Sequence, residues 1–249
     1  MPTPSLTRDM IEAGEIDAIV ARDAPAMRIL SEDERKVSLH NTLAAKPKED
    51  VWLFGYGSLI WNPTVRFVEK RVARVRGWHR AFCLVTPAGR GSMDNPGLVL
   101  GLDEGGHCDG VAFRISADEA ETELTMLWKR EMLSNSYLPK WLDLLDENGR
   151  RFACGLAFTI NPADERYAGR MPREQVVRAL ATASGALGSS ADYLFNTCEG
   201  LHAFGIRDAD LEHLRDDVIA LHINEASASS PDADASKPQG SITSIAPPF

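Results

Sequence analysis

Between Val51 and Trp61 the chain reads VWLFGYGSLIW: an apolar, aromatic run halts at Gly55-Tyr56-Gly57-Ser58 and resumes at Leu59-Ile60-Trp61. The pattern predicts a buried strand interrupted by a tight loop. From there to Ile115 the hydrophobic runs are short and β-branched, and strands are expected at 51–56, 65–75, 78–85, 97–102 and 109–115. Gly77 breaks the second from the third, and Glu104-Gly105-Gly106 carries a hairpin-turn signal. Residues 88–97, AGRGSMDNPG, form a mobile-looking loop near the expected site.

The period then changes. Ser116-Ala117-Asp118-Glu119 has a capping-box pattern that predicts a helix start, and the helix is expected over 116–133. Ala120, Leu124 and Leu127 follow helical spacing, and Glu131 is next on that stripe. Residues 140–145 and 151–160 read as a hairpin across Glu147-Asn148-Gly149, where Asn-Gly favours a type I′ turn. Beyond Asn161 the chain is helical. Pro172 takes the first helical position of one helix, 191–204 forms another closed by Gly205, and Asp208 caps a third over 210–222. Ahead of the strands, 6–21 and 31–45 read as amphipathic helices, with Pro47 at the entry to the first strand. The expected layout is a helical N-terminal extension over 1–48, one domain over 49–225, and a disordered tail over 226–249, rich in Ser, Ala, Pro and Asp. Strands first, then a helix, a hairpin and more helices is not βαβ alternation. The fold class is therefore α+β.

Composition narrows the function. At 249 residues, 44% hydrophobic and 25% charged, the chain has the make-up of a soluble globular protein with one core. A net charge of −9 without a dense basic run argues against nucleic-acid binding. No apolar run is long enough to span a bilayer, and the N-terminus lacks a secretory apolar region, so a cytoplasmic location is expected. Cys83, Cys108, Cys154 and Cys198 are widely spread with no CxxC pair, and six histidines form no ligand spacing. Reduced, buried thiols are expected, with no metal and no cofactor. His107-Cys108 is expected in a turn, and His202 as a packed or capping residue.

Two features carry candidate chemistry. Glycines flanking Tyr56 allow close backbone approach, which suits a carboxylate or a developing oxyanion. Glu131, at the end of an apolar stripe, is expected at the core edge with a raised pKa, as a general base near neutral pH requires. Read singly, each has a plainer meaning. GYGS is also a common structural turn, and Glu131 has Lys129, Arg130 and Arg114 as available cations.

Together, FGYGSLIWNP, then RVRGWHRAF, then Arg130-Glu131 in a helix resemble the ChaC-type, glutathione-specific gamma-glutamylcyclotransferases. Residues 191–197 leading into 201–206 resemble that family's C-terminal helical segment, so the resemblance covers about residues 51 to 214. It implies a small mixed β-barrel with surrounding helices. It also implies a metal-free lyase reaction in which the γ-glutamyl group of glutathione cyclises to 5-oxoproline and Cys-Gly is released. Glu131 would serve as base and then acid. Gly55, Tyr56, Gly57, Ser58, Leu59 and Ile60 would hold the γ-glutamyl part, and Tyr193 would line the pocket. Arg80 either balances a substrate carboxylate or sits on the barrel surface. Glutathione is the expected partner, with no nucleic acid or membrane; the assembly, monomer or dimer, is open.

Other readings compete. The substrate could be another γ-glutamyl amine or dipeptide, or the chain could be a non-catalytic binding module, though a module has no use for Glu131. A serine nucleophile at Ser58 lacks the G-x-S-x-G frame, since Tyr56 and Ile60 hold the glycine positions. A dinucleotide site lacks the third glycine, and a P-loop lacks Gly-Lys-Ser/Thr.

Overall fold

In a computed structural model, residues 6–46 and 50–228 are described. Pro47 and most of the expected tail lie outside them, while Ala226–Ala228 belong to a helix.

Five strands form a closed barrel: β1 (Val51–Gly55), β2 (Glu69–Thr86), β3 (Gly97–Ile115), β4 (Tyr137–Leu145) and β5 (Arg151–Ile160), in the order β1-β3-β2-β4-β5. The class is the expected α+β. Strand β1 pairs antiparallel with β3 and parallel with β5, where Trp52 meets Gly155. All five of its residues are buried, which is why its sequence is apolar without alternation. Leu53 and Phe54 lie on opposite faces of β1 and are both fully buried, and Val111, Phe113, Leu156 and Phe158 are at most 1% exposed, so both faces of the barrel wall are packed.

The β-region differs from expectation at the glycines. Residues 65–85 and 97–115 do not break into four strands; β2 and β3 form one long antiparallel ribbon. Glu104-Gly105-Gly106 does not reverse the chain. Gly77, Gly105 and Gly106 have positive φ and face one another where the register shifts between Arg76 and Trp78. There the glycines make a bulge that bends both strands of the ribbon, as closing a small barrel requires. His107 and Cys108 are consequently strand residues. The β4–β5 hairpin forms, but only Gly149 of its turn has positive φ, so the turn is not type I′; the Asp146 carboxylate accepts from the Asn148 and Arg150 amides instead.

Helix ends follow local chemistry. The first expected helix splits at Gly14 into α1 (Arg8–Glu12) and α2 (Glu15–Asp23). Helix α3 (Glu32–Ala44) starts from a Ser31/Glu34 capping box. Ser58–Trp61 form a single helical turn, α4. Helix α5 (Ala120–Glu131) begins four residues later than expected: Ser116–Glu119 close a backbone turn, and no side chain caps the helix. Pro172 is the N-cap of α6 (Arg173–Thr182). A short hairpin of β6 (Ser184–Gly185) and β7 (Gly188–Ser189) leads into α7 (Ser190–Ala203), capped by a Ser189/Asp192 box. Asp208 accepts from the Leu211 amide and caps α8 (Ala209–Ala228).

Helix α5 is clamped to the N-terminal segment by a buried charge pair. Glu123 is 1% exposed, and Arg8 grips both its oxygens at 2.6 and 2.9 Å, with the Arg66 amide donating at 2.9 Å. Desolvation pushes the Glu123 carboxyl up, but the hydrogen bonds and charge of Arg8 outweigh it, and the pKa lies below the ordinary value. The four cysteines are buried, and no disulfide joins them. Arg80 is neither surface nor cleft: its buried side chain lies 3.5 Å from Asp208 and donates to the Asp109 carbonyl, joining barrel to α8. Among the described residues no helix is long and apolar enough to cross a membrane.

Arg8→Ala strands the Glu123 carboxylate in the interior. The expected cost is about 3 kcal/mol, the low end for an uncompensated buried charge. Because folding depresses the Glu123 pKa, the pair contributes above the unfolded value and is lost as pH falls through the folded one. Thermal melts of both proteins at neutral and acidic pH should show the difference shrinking in acid.

Candidate active site

The barrel end where β1 stops is where α4, α5 and α7 converge. Arg130, in the last turn of α5, reaches across this junction. Its Nη1 donates to the Asn62 carbonyl at 2.6 Å and to Thr64 Oγ1 at 3.0 Å, and its Nη2 to Ser58 Oγ at 2.9 Å. Thr64 needs such support. It is β-branched with φ of 55°, a left-handed conformation that costs of order 1–3 kcal/mol. Arg130 holds its hydroxyl while Arg8 donates to its carbonyl.

Glu131 follows directly. Its Oε1 lies 2.9 Å from Arg130 Nε, with side-chain exposures of 14% and 7%. The contact is an ion pair without hydrogen-bond alignment, and the buried Oε1 accepts no directed hydrogen bond. Desolvation raises the Glu131 pKa above the ordinary 4.5, against the opposing charge of Arg130. Of the three available cations, Arg130 is the partner; Arg114 pairs with Glu69 and Asp50.

Glu131 stands between two cavities. The outer one, of about 210 Å³, opens to solvent and includes Arg90, Arg130 and Arg166 in its walls. The inner one, of about 20 Å³, has room for roughly one water molecule and is lined by Tyr56, Gly57, Ser58, Leu59, Leu100, Glu131, Tyr137, Phe158 and Tyr193. Ser58, Glu131, Tyr137 and Tyr193 border both. Burial raises the phenol pKa of Tyr56, Tyr137 and Tyr193, with the Glu131 charge adding to it. They are therefore protonated donors at neutral pH. Tyr56 donates to the Phe158 carbonyl at 2.8 Å and Tyr137 to the Leu100 carbonyl at 2.9 Å. A Cβ on Gly57 would lie 2.7 Å from the Tyr193 hydroxyl, so close approach makes this position glycine; its φ is negative, −137°.

Of the loop expected to bind substrate, four residues reach the inner cavity. Gly55 and Ile60 do not: Gly55 is crowded by Leu59 and Phe113, and Ile60 packs beneath α7 at Gly200. The 88–97 loop is not loose throughout, since Ala88 to Gly91 are buried. It delivers Arg90, which sequence reasoning did not single out. Arg90 donates to the Ser189 carbonyl and lies 5.9 Å from both the Trp61 and Tyr193 rings. Desolvation lowers its pKa, and among the described residues no carboxylate lies within ion-pair distance. The available signal was a lone arginine between two glycines. Tyr137 and Arg166, on segments with no motif, gave none.

Among the described residues no three His, Cys, Asp or Glu side chains converge to hold a metal. The arrangement provides a desolvated carboxylate able to move a proton, a confined space beside it, and cationic walls for an anionic ligand.

Comparisons with known proteins agree on one family. A family model described as ChaC-like protein matches residues 51–221. A glutathione-specific gamma-glutamylcyclotransferase of Escherichia coli is 43% identical over 185 residues, 74% of this chain and 80% of that protein. Gamma-glutamylcyclotransferase 2-1 of Arabidopsis thaliana is 31% identical, over 69% of this chain and 80% of its own. The crystal structure of a yeast gamma-glutamyl cyclotransferase specific to glutathione aligns with a TM-score of 0.64 at 19% identity, covering 69% of this chain and 97% of that one. This last likeness is one of fold.

Two outcomes test the geometry. Gly57→Ala is expected to lower the melting temperature by pressing Cβ on the Tyr193 hydroxyl, and adding Tyr193→Phe should recover part of the loss; equal melting of single and double variants would refute the contact. Glu131→Gln is expected to melt higher than wild type above the folded-state pKa of Glu131. A raised carboxyl pKa favours folding of the protonated form, an advantage lost as pH rises through that pKa. Arg130 keeps its three other acceptors. The gap should close on acidification.

Proposed function

This chain belongs to the ChaC-like protein family, and from that premise we propose that it cleaves glutathione by intramolecular cyclisation, giving 5-oxoproline and Cys-Gly. In this reading residues 49–225 are the catalytic unit and 1–48 an N-terminal extension. A cytoplasmic location fits it, because four buried cysteines without a disulfide suit a reducing compartment.

The reaction sets two demands. The substrate's α-ammonium must lose a proton before it can attack its own γ-carbonyl, and the departing amide nitrogen must gain one. The nucleophile is tethered, so correct orientation removes much of the barrier. Glu131 takes the first proton as base. The amine then bonds to the γ-carbon and, now positively charged, gives up its second proton. The bond to the cysteinyl nitrogen breaks as Glu131 delivers a proton to it, and the released amine takes up the other, so that two protons pass in all from the α-nitrogen to the leaving nitrogen. No water is consumed.

The single observation that carries this reading is the position of Glu131: a buried carboxylate with a raised pKa, an oxygen free of directed hydrogen bonds, and a cavity on either side. The raised pKa makes the carboxylate a stronger base than an ordinary glutamate and its acid form easier to reach. We assign the γ-glutamyl end to the floor of the outer cavity, against Ser58, Glu131 and Tyr193, with Tyr56, Gly57 and Leu59 behind it around the one-water inner cavity, and we assign the stabilisation of charge developing on the carbonyl oxygen to this loop. Tyr193 closes the far side. Arg130 is a positioning residue: it sets both Ser58 and Glu131.

Purified protein incubated with glutathione is expected to yield 5-oxoproline and Cys-Gly in equal amounts by mass spectrometry. Glu131→Gln should lower turnover roughly 10²–10⁴-fold, the usual worth of a positioned acid–base group, while glutathione binding persists. For wild type, kcat/KM should rise with pH through an apparent pKa above 4.5. A folded Gln variant with full turnover would remove Glu131 from the mechanism.

A further inference from the structure

The outer cavity has two unlike sides. One is built from the family-matched region and carries Glu131, Arg90, Arg130 and Arg166 among apolar residues such as Trp61, Leu84, Val99 and Leu187. The other is built from residues ahead of that region: Leu6, Ile16, Ile19, Val20 and Met27. Every one of these five is aliphatic or a thioether, and none brings a charge.

This segment is fastened to the machinery it faces. Arg8 holds Glu123 of α5 through both carboxylate oxygens. The Leu30 amide donates to the Leu133 carbonyl at 2.9 Å, just past Glu131. Asn62 is the third tie: its Nδ2 donates to the Leu6 carbonyl at 2.8 Å while its own carbonyl accepts from Arg130 at 2.6 Å. Residues 6–30 are thus docked at both ends of the cleft, and one tie runs through Arg130 to the Arg130–Glu131 pair.

We propose that residues 6–30 are the specificity wall for the leaving half of the substrate, and that Ile19 and Met27 set how large a group the cysteinyl side chain can carry. The inference rests on the reading of the site as a gamma-glutamylcyclotransferase. With the γ-glutamyl end on the floor of the outer cavity against Ser58 and Glu131, the remainder of the ligand runs along the rest of that cavity. Its terminal carboxylate meets the arginine side, and the thiol-bearing side chain meets the apolar wall. An unsubstituted thiol is small and apolar enough for that wall. A thioether-linked alkyl chain of the same peptide competes for the space that Ile19 and Met27 fill. The wall therefore selects free thiol peptides over their S-conjugates. Ile19 and Met27 suit a test because both are half-buried, and truncating them spares the deeply buried Ile16 and Val20.

The experiment compares wild type with the full-length double variant Ile19→Ala/Met27→Ala on two ligands, glutathione and S-hexylglutathione. It reads 5-oxoproline formation, calorimetric affinity and melting temperature. In the variant, kcat/KM for S-hexylglutathione relative to glutathione is expected to rise about 10-fold or more, the discrimination that a few methylenes in an apolar pocket support. Relative affinity should move the same way. A merely structural role would depress both substrates together, lower the melting temperature and leave the ratios where they were, which overturns the proposal. Wild type that makes no 5-oxoproline from glutathione refutes the reaction assigned above, and the affinity ratio then decides the wall independently.

Discussion

The cleft depends on where one guanidinium directs its donors. Arg130 binds the Asn62 carbonyl, the Thr64 hydroxyl and the Ser58 hydroxyl, and stands beside Glu131. Each of those first three residues follows β1, so a single side chain fixes α5 against the turn at the barrel's end. The same contacts hold Thr64 in a conformation that a threonine does not adopt unaided. They also set the balance at Glu131. Without the guanidinium, desolvation alone would act on the carboxyl; with it, the group keeps access to its charged form in a buried place.

That arrangement explains which parts of the site could be read from sequence. The loop was legible because its glycines interrupt an otherwise unbroken apolar strand, and Glu131 because it takes the next position on an apolar helical stripe. Both are local signals. Arg90 was not legible, because what distinguishes it is burial beside Trp61 and Tyr193, and those residues reach it from α4 and α7. Glu123 was equally hidden: a glutamate in a helix reads as solvated until Arg8, from the far end of the chain, is seen to cover it. In the fold, caps built from side chains were found at Asp208, yet the Ser116–Glu119 signal produced a plain turn. The glycines at 105 and 106 misled for a physical reason, since the same positive φ serves a hairpin turn and a bulge, and only the path of β2 alongside separates them.

The N-terminal segment changes how the cleft should be regarded. The family-matched region supplies every charged residue of the outer cavity, along with apolar ones such as Trp61, Leu84 and Val99, whereas Leu6, α2 and Met27 add apolar residues alone. On the proposal made above, chemistry and selectivity come from different stretches of chain, joined through the Arg8–Glu123 and Leu6–Asn62 contacts, and substitutions on the N-terminal side then alter which ligands enter without disturbing Glu131.

The parallel β1–β5 pair has a consequence for how the chain comes into being. Trp52 and Leu53 meet Gly155 and Leu156, so the barrel stays open along one edge of β1 until the chain has been synthesised past the middle of β5. A ribosome-bound chain that ends earlier presents β1 as a flat, wholly apolar strand with unpaired backbone groups, the kind of edge that recruits other chains. The long β2–β3 ribbon forms from neighbouring sequence and covers the other edge first. Closure is then a late, non-local event, slow by the ordinary dependence of folding rate on contact distance. The same strand that leads into the Gly55–Ser58 turn is the chain's principal hazard during its own birth, and an early shield for that edge, whether chaperone or slowed translation, would govern how much folded protein a cell obtains.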